Sequence, residues 1–484
     1  MKVVLLNPPF KPEYGKFSRS SRSPAITKSG TLYYPIWLSY ACGVLEKNGN
    51  EVLLLDSCAE QINIEQTVKR IEEFEPELVI IDTSTPSIDS DIECANQLKQ
   101  IKTHPFICLV GTHPSILTEE VMKSSKQIDA IARHEYDYTL VDLAKCLENR
   151  ASLETVLGLT FREDNHIIHN QDRPYIDNLD KMPFVSKVYK EQIDVSNYFF
   201  AAGEYPMVMI ITGRGCPSRC FFCVYPQTFH GHKYRLRSAE NVVDEFQYVS
   251  EKMPDIKSIG IEDDTFTANP ARVREICKLI IERGINKKLK WWANTRVTLD
   301  YETMVMMKKA GCRLVIPGFE SGDQQILNNI RKGIKVEQSI EFVKNARKAG
   351  LLVHGCFMVG NKGETRKSME KTLDLALKLG PDTAQFFPLI PYPGTEAYQW
   401  AKENNYLAIE RFSEWLTEDG LHQCVLNLPN LSSKDLVDFC DGARKKYYLR
   451  PKYIFYKLKQ AVKSGEERKR TIKSFKQFYK FLLK

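Results

Sequence analysis

Three cysteines in one short loop are the residues of this chain whose types and spacing most directly suggest chemistry. Cys216, Cys220 and Cys223 have the spacing C-x3-C-x2-C within "MIITGRGCPSRCFFCVYPQTF". Three interpretations are open: buried thiols without a ligand, a zinc site completed by His230 or His232, and a 4Fe–4S cluster held by thiolates. Structural zinc sites usually pair two C-x2-C knuckles, and no second pair follows. A cluster with three thiolate ligands leaves one iron open to a small molecule.

The elements that position this loop start at residue 206, where short apolar runs alternate with helical periodicity. The strand candidates are "MVMIIT", "SIGIED", "LKWWANT", "RLVIPGFE", "LVHGCFMVG" and "TAQFFPLI". Helices fit between them, for example over residues 239–252 and 336–349. Six such units predict a partial (β/α)6 barrel over residues 201–410, with its chemistry at the carboxyl ends of the strands. The cysteine loop follows the first of these strands.

A different α/β unit precedes the barrel over residues 1–150. Its apolar runs are "KVVLLN", "EVLLLD", "ELVIID", "FICLVG" and "IDAIA", again with helical stretches between them, for example over residues 64–74. This order predicts a doubly wound parallel sheet that binds its ligand at the carboxyl ends of the strands. Those ends read "NPP", "DTSTPS", "GTHPS" and "RHEYDYT". Residues 151–200 are a predicted connector with one hairpin, and residues 411–484 a helical basic region.

Composition limits the class of protein. The chain has 484 residues, 43% of them hydrophobic and 27% charged, with a net charge of +7. Ten of the thirteen cysteines stand alone in apolar or helical contexts, which indicates free thiols in a reducing compartment. The amino terminus lacks the apolar length of a signal peptide, and no window predicts a transmembrane helix. We therefore expect a cytoplasmic protein.

The cysteine spacing, with aromatic Phe222 before the last cysteine, resembles that of the radical S-adenosylmethionine (SAM) superfamily. The resemblance implies that Cys216, Cys220 and Cys223 bind a 4Fe–4S cluster whose open iron chelates SAM. It also implies reductive cleavage of SAM to a 5′-deoxyadenosyl radical, with a reductant such as flavodoxin or ferredoxin.

Three later strand ends resemble the SAM-binding segments of this superfamily. "IEDDTFT" would hold the SAM amino group through Asp263 or Asp264, and "PGFESG" would contact the ribose or carboxylate through Glu320 and Ser321. "HGCFMVGNKGET" resembles a segment whose backbone flanks the adenine, which here implicates Gly355 and Gly360. Asn361 and Lys362 replace the Leu-Pro usual in that segment, which leaves the shape of its turn open. Taken alone, each segment also fits an ordinary glycine-rich loop or a helix cap.

The doubly wound unit in front of the barrel resembles the cobalamin-binding class of radical SAM enzymes. The resemblance implies cobalamin over the carboxyl edge of the sheet, approached by Thr83, Ser84 and Thr85 and by His113. The D-x-H-x-x-G motif that supplies a cobalt ligand in many other cobalamin proteins is absent. Cobalamin would then carry no histidine ligand from that motif.

Several strings resemble the subgroup that builds cyclitol ether or calditol head groups on membrane lipids, among them "RPYIDNLDKMPFV", "YPQTFHGHKYRLRS" and "FESGDQQILNNIRKG". This resemblance implies rearrangement of a lipid-linked sugar to a five-membered carbocycle. One alternative is a cobalamin-dependent methyltransferase acting on carbon or phosphorus. A non-catalytic cobalamin or iron–sulfur sensor is a third reading, although a sensor needs no SAM-binding segments.

The carboxyl-terminal region interleaves Lys and Arg with Tyr and Phe, as in "ARKKYYLRPKYIFYKLKQ". This pattern suits peripheral contact with an anionic membrane surface, an amphipathic helix packed on the barrel, or contacts with RNA phosphates and bases. A lipid-linked substrate favours the membrane. No separate RNA-binding domain is evident, so we expect no nucleic-acid partner.

Overall fold

The computed structural model describes residues 1–20, 22–27 and 29–463. Its amino-terminal strands are β1 (Lys2–Asn7), β2 (Phe17–Ser18), β3 (Ala25–Ile26), β4 (Glu51–Asp56), β5 (Leu78–Asp82), β6 (Phe106–Val110), β7 (Ala130–Ala132), β8 (Leu159–Glu163) and β9 (His166–His169). Seven of them form one sheet in the order β4-β1-β5-β6-β7-β8-β9. The first five strands in this order are parallel to one another. Strand β8 pairs antiparallel with β7, and β9 pairs antiparallel with β8. The hairpin expected in the connector therefore extends this front sheet.

Helices cover both faces of the front sheet. They are α1 (Ile36–Lys47), α2 (Ser57–Glu60), α3 (Ile64–Phe74), α4 (Ile88–Leu98), α5 (Thr112–Ile116), α6 (Thr118–Ser124) and α7 (Asp137–Asn149). Alternate strand residues serve the two faces: Val4 and Leu6 join a core with α3 and α4, whereas Val3 and Leu5 join the main core of the molecule. The parallel strands therefore read as continuous apolar runs, and the doubly wound prediction is confirmed.

Helix α1 is buried on nearly all sides because it lies between the front sheet and the barrel. Its residues Ile36 to Leu45 are all buried. The Tyr40 hydroxyl donates to the Ile211 carbonyl at 3.2 Å, and the Trp37 ring stands edge-on to Tyr225 at 5.7 Å. A helix that is apolar all round is expected in such a position.

The second sheet contains six parallel strands. After helix α8 (Val185–Gln192) come β10 (Met207–Ile210), β11 (Gly213–Arg214), β12 (Arg235–Leu236), β13 (Ser258–Ile261), β14 (Lys290–Thr295), β15 (Cys312–Glu320), β16 (Leu352–Val359) and β17 (Thr383–Pro388). The sheet order is β10-β13-β14-β15-β16-β17, and β11 and β12 form a short separate ribbon. The predicted six-strand barrel is thus present, with all six strands parallel.

The barrel helices are α9 (Val224–Thr228), α10 (Ala239–Lys252), α11 (Pro270–Glu282), α12 (Tyr301–Lys309), α13 (Gln324–Asn329), α14 (Val336–Ala349), α15 (Arg366–Leu379) and α16 (Glu396–Glu403). Local sequence sets their starts: Ser238 caps α10, and Asn269 followed by Pro270 opens α11. Helices α17 (Ser433–Tyr448) and α18 (Pro451–Lys463) complete the chain. The rest of the predicted basic tail, 464–484, lies outside the described residues.

One hydrophobic core runs through both α/β units. It includes Leu38 of α1, Ile259 of β13 and Tyr447 of α17. Within the described ranges, no helix is long and apolar enough to cross a bilayer.

Candidate active site at the barrel mouth

The cysteine loop lies at the carboxyl end of β10, where a barrel active site is expected. Cys216 and Cys220 are buried and Cys223 is partly buried. Gly215 opens the loop with φ of 88°, and a Cβ atom there would overlap the Lys233 carbonyl. Only glycine permits this close approach together with a left-handed backbone.

Side chains hold the backbone of the loop through its carbonyl groups. The Gln227 amide donates to the carbonyls of Cys220 at 3.3 Å and Cys223 at 2.8 Å. The His232 Nδ1 atom lies 3.2 Å from the Cys216 carbonyl and 3.2 Å from that of Ser218. These bonds fix the loop without engaging the three thiols.

The histidines considered as a fourth zinc ligand are engaged elsewhere. His230 Nδ1 lies 2.9 Å from an Asp264 carboxylate oxygen, and His232 faces the loop carbonyls. In the part of the chain that the structure describes, no three His, Cys, Asp or Glu side chains converge on a position for a single metal ion. A cluster places no such demand, because each thiolate binds a different iron. The donor set therefore fits an iron–sulfur cluster with one open iron.

Lys332 lies between Glu320, at the end of β15, and Phe222 of the cysteine loop. Its Nζ atom lies 2.6 Å from a Glu320 carboxylate oxygen and 5.8 Å from the centre of the Phe222 ring. Burial raises the pKa of Cys220, and the Lys332 cation opposes that shift. The quoted string "FESGDQQILNNIRKG" contains Lys332, but the motif gave this residue no role, because only the fold brings its ammonium group to Glu320 and Phe222.

Glu320 ends β15 in a conformation that is rare for a residue with a side chain. Its φ is 61°, and the strand register shifts between Gly318 and Glu320. Such backbone strain concentrates at functional sites. Ser321 is fully buried, and its hydroxyl lies 3.1 Å from that of Thr372. The predicted contacts of Glu320 and Ser321 with SAM remain predictions.

The two aspartates predicted for the SAM amino group have different environments. Asp263 accepts bonds from the Thr212 amide at 2.6 Å, the Thr212 hydroxyl at 2.6 Å and the Tyr234 hydroxyl at 2.9 Å. Burial raises the pKa of Asp263 despite these bonds. Asp264 is also buried, yet the neighbouring His230 and Arg22 outweigh the effect of burial and lower its pKa. Asp264 is therefore the better candidate for an ammonium partner.

Arg22, from the front unit, contacts the acidic residues Glu262 and Asp264 that follow β13. Its guanidinium lies 2.9 Å from a Glu262 carboxylate oxygen and 3.4 Å from one of Asp264. It also donates to the carbonyls of Glu262 at 3.0 Å and Asp263 at 3.1 Å. A cation therefore already pairs with Asp264, one of the two carboxylates that the resemblance assigns to the SAM ammonium.

The predicted adenine segment keeps its strand despite its altered turn. Gly355 lies in β16 against the Phe319 ring, and Gly360 directly follows the strand with φ of 85°. Asn361, at the altered position, is buried and donates to the Met358 carbonyl at 3.1 Å. The Asn361 side-chain amide thus stabilises the turn at the position where the usual sequence of this segment has Leu-Pro.

A narrow cavity lies between the front sheet and the barrel. Its front-unit lining includes residues 82–85 after β5, residues 111–112 after β6, and Tyr136. Its barrel lining includes Val224 and Tyr225, the two residues directly after Cys223. The carboxyl edge of the front sheet and the segment directly after the cysteine loop thus line one cavity.

The predicted cobalamin-contact residues lie on both sides of this edge. Thr83, Ser84 and Thr85 line the cavity. His113 does not line it: the ring is buried against Phe412, with Nδ1 3.2 Å from the Thr85 hydroxyl. Burial lowers the pKa of His113 to about 3, so the ring is neutral. Its position indicates support of the Thr85 loop.

Two observations test whether the cavity lining suits cobalamin. The Tyr136 hydroxyl is buried and has no hydrogen-bond partner among the residues that the structure describes, so it can bond to an added polar group. Gly111 has φ of 125°, and a Cβ there would meet the Thr83 carbonyl, so only glycine keeps the two loops this close. These small and polar loop residues and the unpaired hydroxyl offer hydrogen-bond partners to the polar side groups of such a ligand. Thr83, Ser84, Thr85 and Tyr136 would hold it.

The residue that sequence reasoning missed most clearly is Arg22. The connection from β1 to α1 spans residues 8–35, far longer than the usual two to six residues or so of such turns. That length was the available signal, since long connections often carry function.

Comparison with known proteins agrees with this geometry. Residues 210–376 match the Radical SAM superfamily and residues 22–144 the B12 binding domain. An uncharacterized methyltransferase, PH0819 of Pyrococcus horikoshii, is 32% identical over 455 residues, 94% of each chain. The chain belongs to the cobalamin-binding radical SAM superfamily.

Two further relatives show how widely this architecture is shared. The anaerobic magnesium-protoporphyrin IX monomethyl ester cyclase of Cereibacter sphaeroides is 29% identical over 375 residues, which are 75% of this chain but 60% of the cyclase. The radical SAM methyltransferase TsrM of Kitasatospora setae, solved with cobalamin and a [4Fe-4S] cluster, superimposes with a TM-score of 0.66. That match has 18% identity over 84% of this chain and 79% of TsrM, so it supports the fold alone.

Membership in the superfamily settles the general chemistry. The protein is an enzyme, not the sensor considered above, and its cofactors are a 4Fe–4S cluster, SAM and cobalamin. It requires a reductant and a small-molecule substrate, as radical SAM enzymes do. The hopanoid and calditol subgroup is not established by these matches.

Proposed function

We propose that this enzyme is a cobalamin-dependent radical SAM methyltransferase that acts on an unactivated carbon or on phosphorus. The observation that carries the proposal is the shared cavity, which is lined by Tyr225 of α9, two residues after Cys223, and by Thr83 to Thr85 of the front unit. When bound, the cluster supplies the electron that cleaves SAM, and cobalamin carries the methyl group. The substrate must lie within reach of both.

The relatives favour methylation over the sugar rearrangement expected from the subgroup resemblance. The relative that matches 94% of both chains is named a methyltransferase. The match with the cyclase covers only 60% of the length of the cyclase. No relative described above acts on a lipid-linked sugar.

The residues of this chain prepare the site in three ways. Gln227 and His232 fix the cysteine loop. Trp37, Tyr225 and Phe229 provide an apolar wall that excludes water near the cavity. Asp264, which pairs with His230, accepts a bond from the SAM ammonium in this proposal.

The products distinguish methylation from rearrangement. The protein is reconstituted anaerobically with iron, sulfide and cobalamin, reduced, and given SAM, and both nucleoside products are quantified by mass spectrometry. A methyltransferase forms S-adenosylhomocysteine in an amount that depends on added cobalamin, together with 5′-deoxyadenosine. The matched control omits cobalamin and keeps the cluster. Formation of 5′-deoxyadenosine with no S-adenosylhomocysteine at any cobalamin concentration would contradict the proposal and favour rearrangement.

A further inference from the structure

Helix α18 presents an apolar face that nothing in the described part of the chain covers. Phe455, Leu458 and Val462 have the spacing i, i+3, i+7 and therefore share one face of the helix. Their exposed fractions are 71%, 58% and 88%. Large apolar side chains grouped in this way mark an interaction surface.

The opposite face of α18 fastens the helix to the barrel. The Tyr453 hydroxyl donates to the Asp382 carbonyl at 2.9 Å, and the Tyr456 hydroxyl donates to the Asp382 carboxylate. The Gln460 amide also donates to that carboxylate, at 3.4 Å. Because Tyr453, Tyr456 and Gln460 repeat the same spacing two residues earlier, they lie about 200° around the helix from the apolar face. The apolar face therefore points away from the protein.

Charge identifies the partner of this face. The helix sequence "PKYIFYKLKQAVK" contains four lysines and no acidic residue. Lys452 and Lys459 are exposed and lie three residues before and four residues after Phe455, so they flank the apolar face. We propose that α18 docks the enzyme on an anionic lipid bilayer, with Phe455, Leu458 and Val462 in the interface and the lysines at the headgroups.

Two other occupants fit the face less well. In a symmetric contact with a second copy of the chain, the apolar face of one α18 would pack against the same face of the other. The lysines of the two helices would then repel each other. Binding of single-stranded nucleic acid relies on aromatic side chains that stack on bases, whereas Leu458 and Val462 are aliphatic. A bilayer accepts aliphatic and aromatic side chains equally and attracts the lysines.

The docking face is separate from the cofactor cavity. Asp382, the anchor of α18, directly precedes β17, at the amino end of a barrel strand, whereas the cysteine loop lies at a carboxyl end. Substitutions on the face should therefore reduce membrane binding and leave SAM cleavage unchanged. This separation lets the docking proposal fail independently of the proposed function.

The test uses the full chain and flotation with vesicles of phosphatidylcholine, with or without phosphatidylglycerol. We expect binding to the anionic vesicles only, weakened at least about tenfold in the triple variant Phe455→Ser, Leu458→Ser, Val462→Ser. The double variant Lys452→Glu, Lys459→Glu should lose a similar amount. Val437→Ser on α17 and Lys69→Glu on α3, which change exposed residues outside α18, are the matched controls and should bind as the unchanged protein does.

Any one of the following results would overturn the proposal. They are equal binding to neutral vesicles, no binding to anionic vesicles, unchanged binding of the triple variant, and a dimer in light scattering that the triple variant disrupts. RNA binding that the same substitutions abolish, without vesicle binding, would also overturn it. Thermal melting of each variant shows whether it folds. If the triple variant does not fold, vesicle binding of the variant Lys452→Glu, Lys459→Glu tests the proposal in its place.

Discussion

At the residue scale, the most specific assignment concerns the three cysteines. Sequence spacing identified them, and the structure places them on a loop whose carbonyls are tied by Gln227 and His232. The chain has ten other cysteines, many of them buried, so it offers controls of the same type.

We predict that Cys216→Ser, Cys220→Ser and Cys223→Ser each abolish the cluster, because a three-thiolate site has no spare ligand. Anaerobic visible absorption and iron content should fall to background, and SAM cleavage should be lost. Cys94→Ser, a buried cysteine of α4, is the matched control and should keep the cluster. Normal iron content and cleavage in any of the three variants would contradict the assignment.

Residue-level prediction was weakest where neighbours decide the role of a side chain. Asp263 and Asp264 are adjacent and chemically identical, so no motif could separate them. Asp263 is held by Thr212 and Tyr234, while Asp264 pairs with His230 and Arg22. Those partners come from distant parts of the chain, and only the fold brings them together.

At the element scale, the long connection between β1 and α1 links the two cofactor regions. Arg19 is fully buried and pairs with Asp91 of α4 at 2.7 Å. Three residues later, Arg22 pairs with Glu262 and Asp264 at the end of β13. One short stretch therefore contacts both the front sheet and the predicted SAM position.

We predict that Arg22→Ala tightens SAM binding several-fold, because the guanidinium occupies the carboxylates that the SAM ammonium is expected to reach. Arg22→Lys keeps a cation in place and is the matched control, with affinity near that of the unchanged protein. Equilibrium binding of labelled SAM to the reconstituted protein, without reduction, measures the effect. Unchanged or weaker binding in Arg22→Ala would show that Arg22 does not compete with SAM.

Sequence periodicity located most of the regular elements. The predicted helices over 64–74, 239–252 and 336–349 coincide with α3, α10 and α14. Strong local signals, such as the Asn63 capping box of α3, account for this agreement. The connection from β1 to α1 has no such periodicity, and its course depends on ion pairs with residues more than 60 positions away.

At the scale of the whole molecule, buried ion pairs join the front unit to the barrel. The two terminal guanidinium nitrogens of Arg235, in β12, each donate a hydrogen bond to the Glu135 carboxylate at 2.7 Å. Arg214 of β11 pairs with Asp137 at 2.7 Å. Burial would raise the pKa of Glu135, but Arg214 and Arg235 outweigh it and the pKa is lowered from its ordinary value of 4.5.

Because its pKa is lowered in the folded state, the Glu135 carboxylate stabilises the protein at neutral pH. This contribution is lost as the pH falls through the folded-state pKa, which lies below 4.5. We predict that Glu135→Gln lowers stability at about pH 7 by roughly 3–5 kcal/mol, since the arginines lose a buried partner. The difference from the unchanged protein should shrink at about pH 4.

Thermal melting at both pH values measures these effects. Asp177→Asn removes an exposed ion pair with Lys233 and is the control, expected to change little. Equal melting temperatures for Glu135→Gln and the unchanged protein at neutral pH would contradict the prediction.

The burial of helix α1 bears on how such enzymes diversify. Trp37 and Tyr40 make their contacts with Tyr225 and the Ile211 carbonyl across the boundary between the two folds. A front unit grafted from a relative would bring its own α1, whose side chains would have to match the recipient's β10 and cysteine loop. Exchange of the front unit alone would therefore break these buried contacts unless α1 and the barrel changed together.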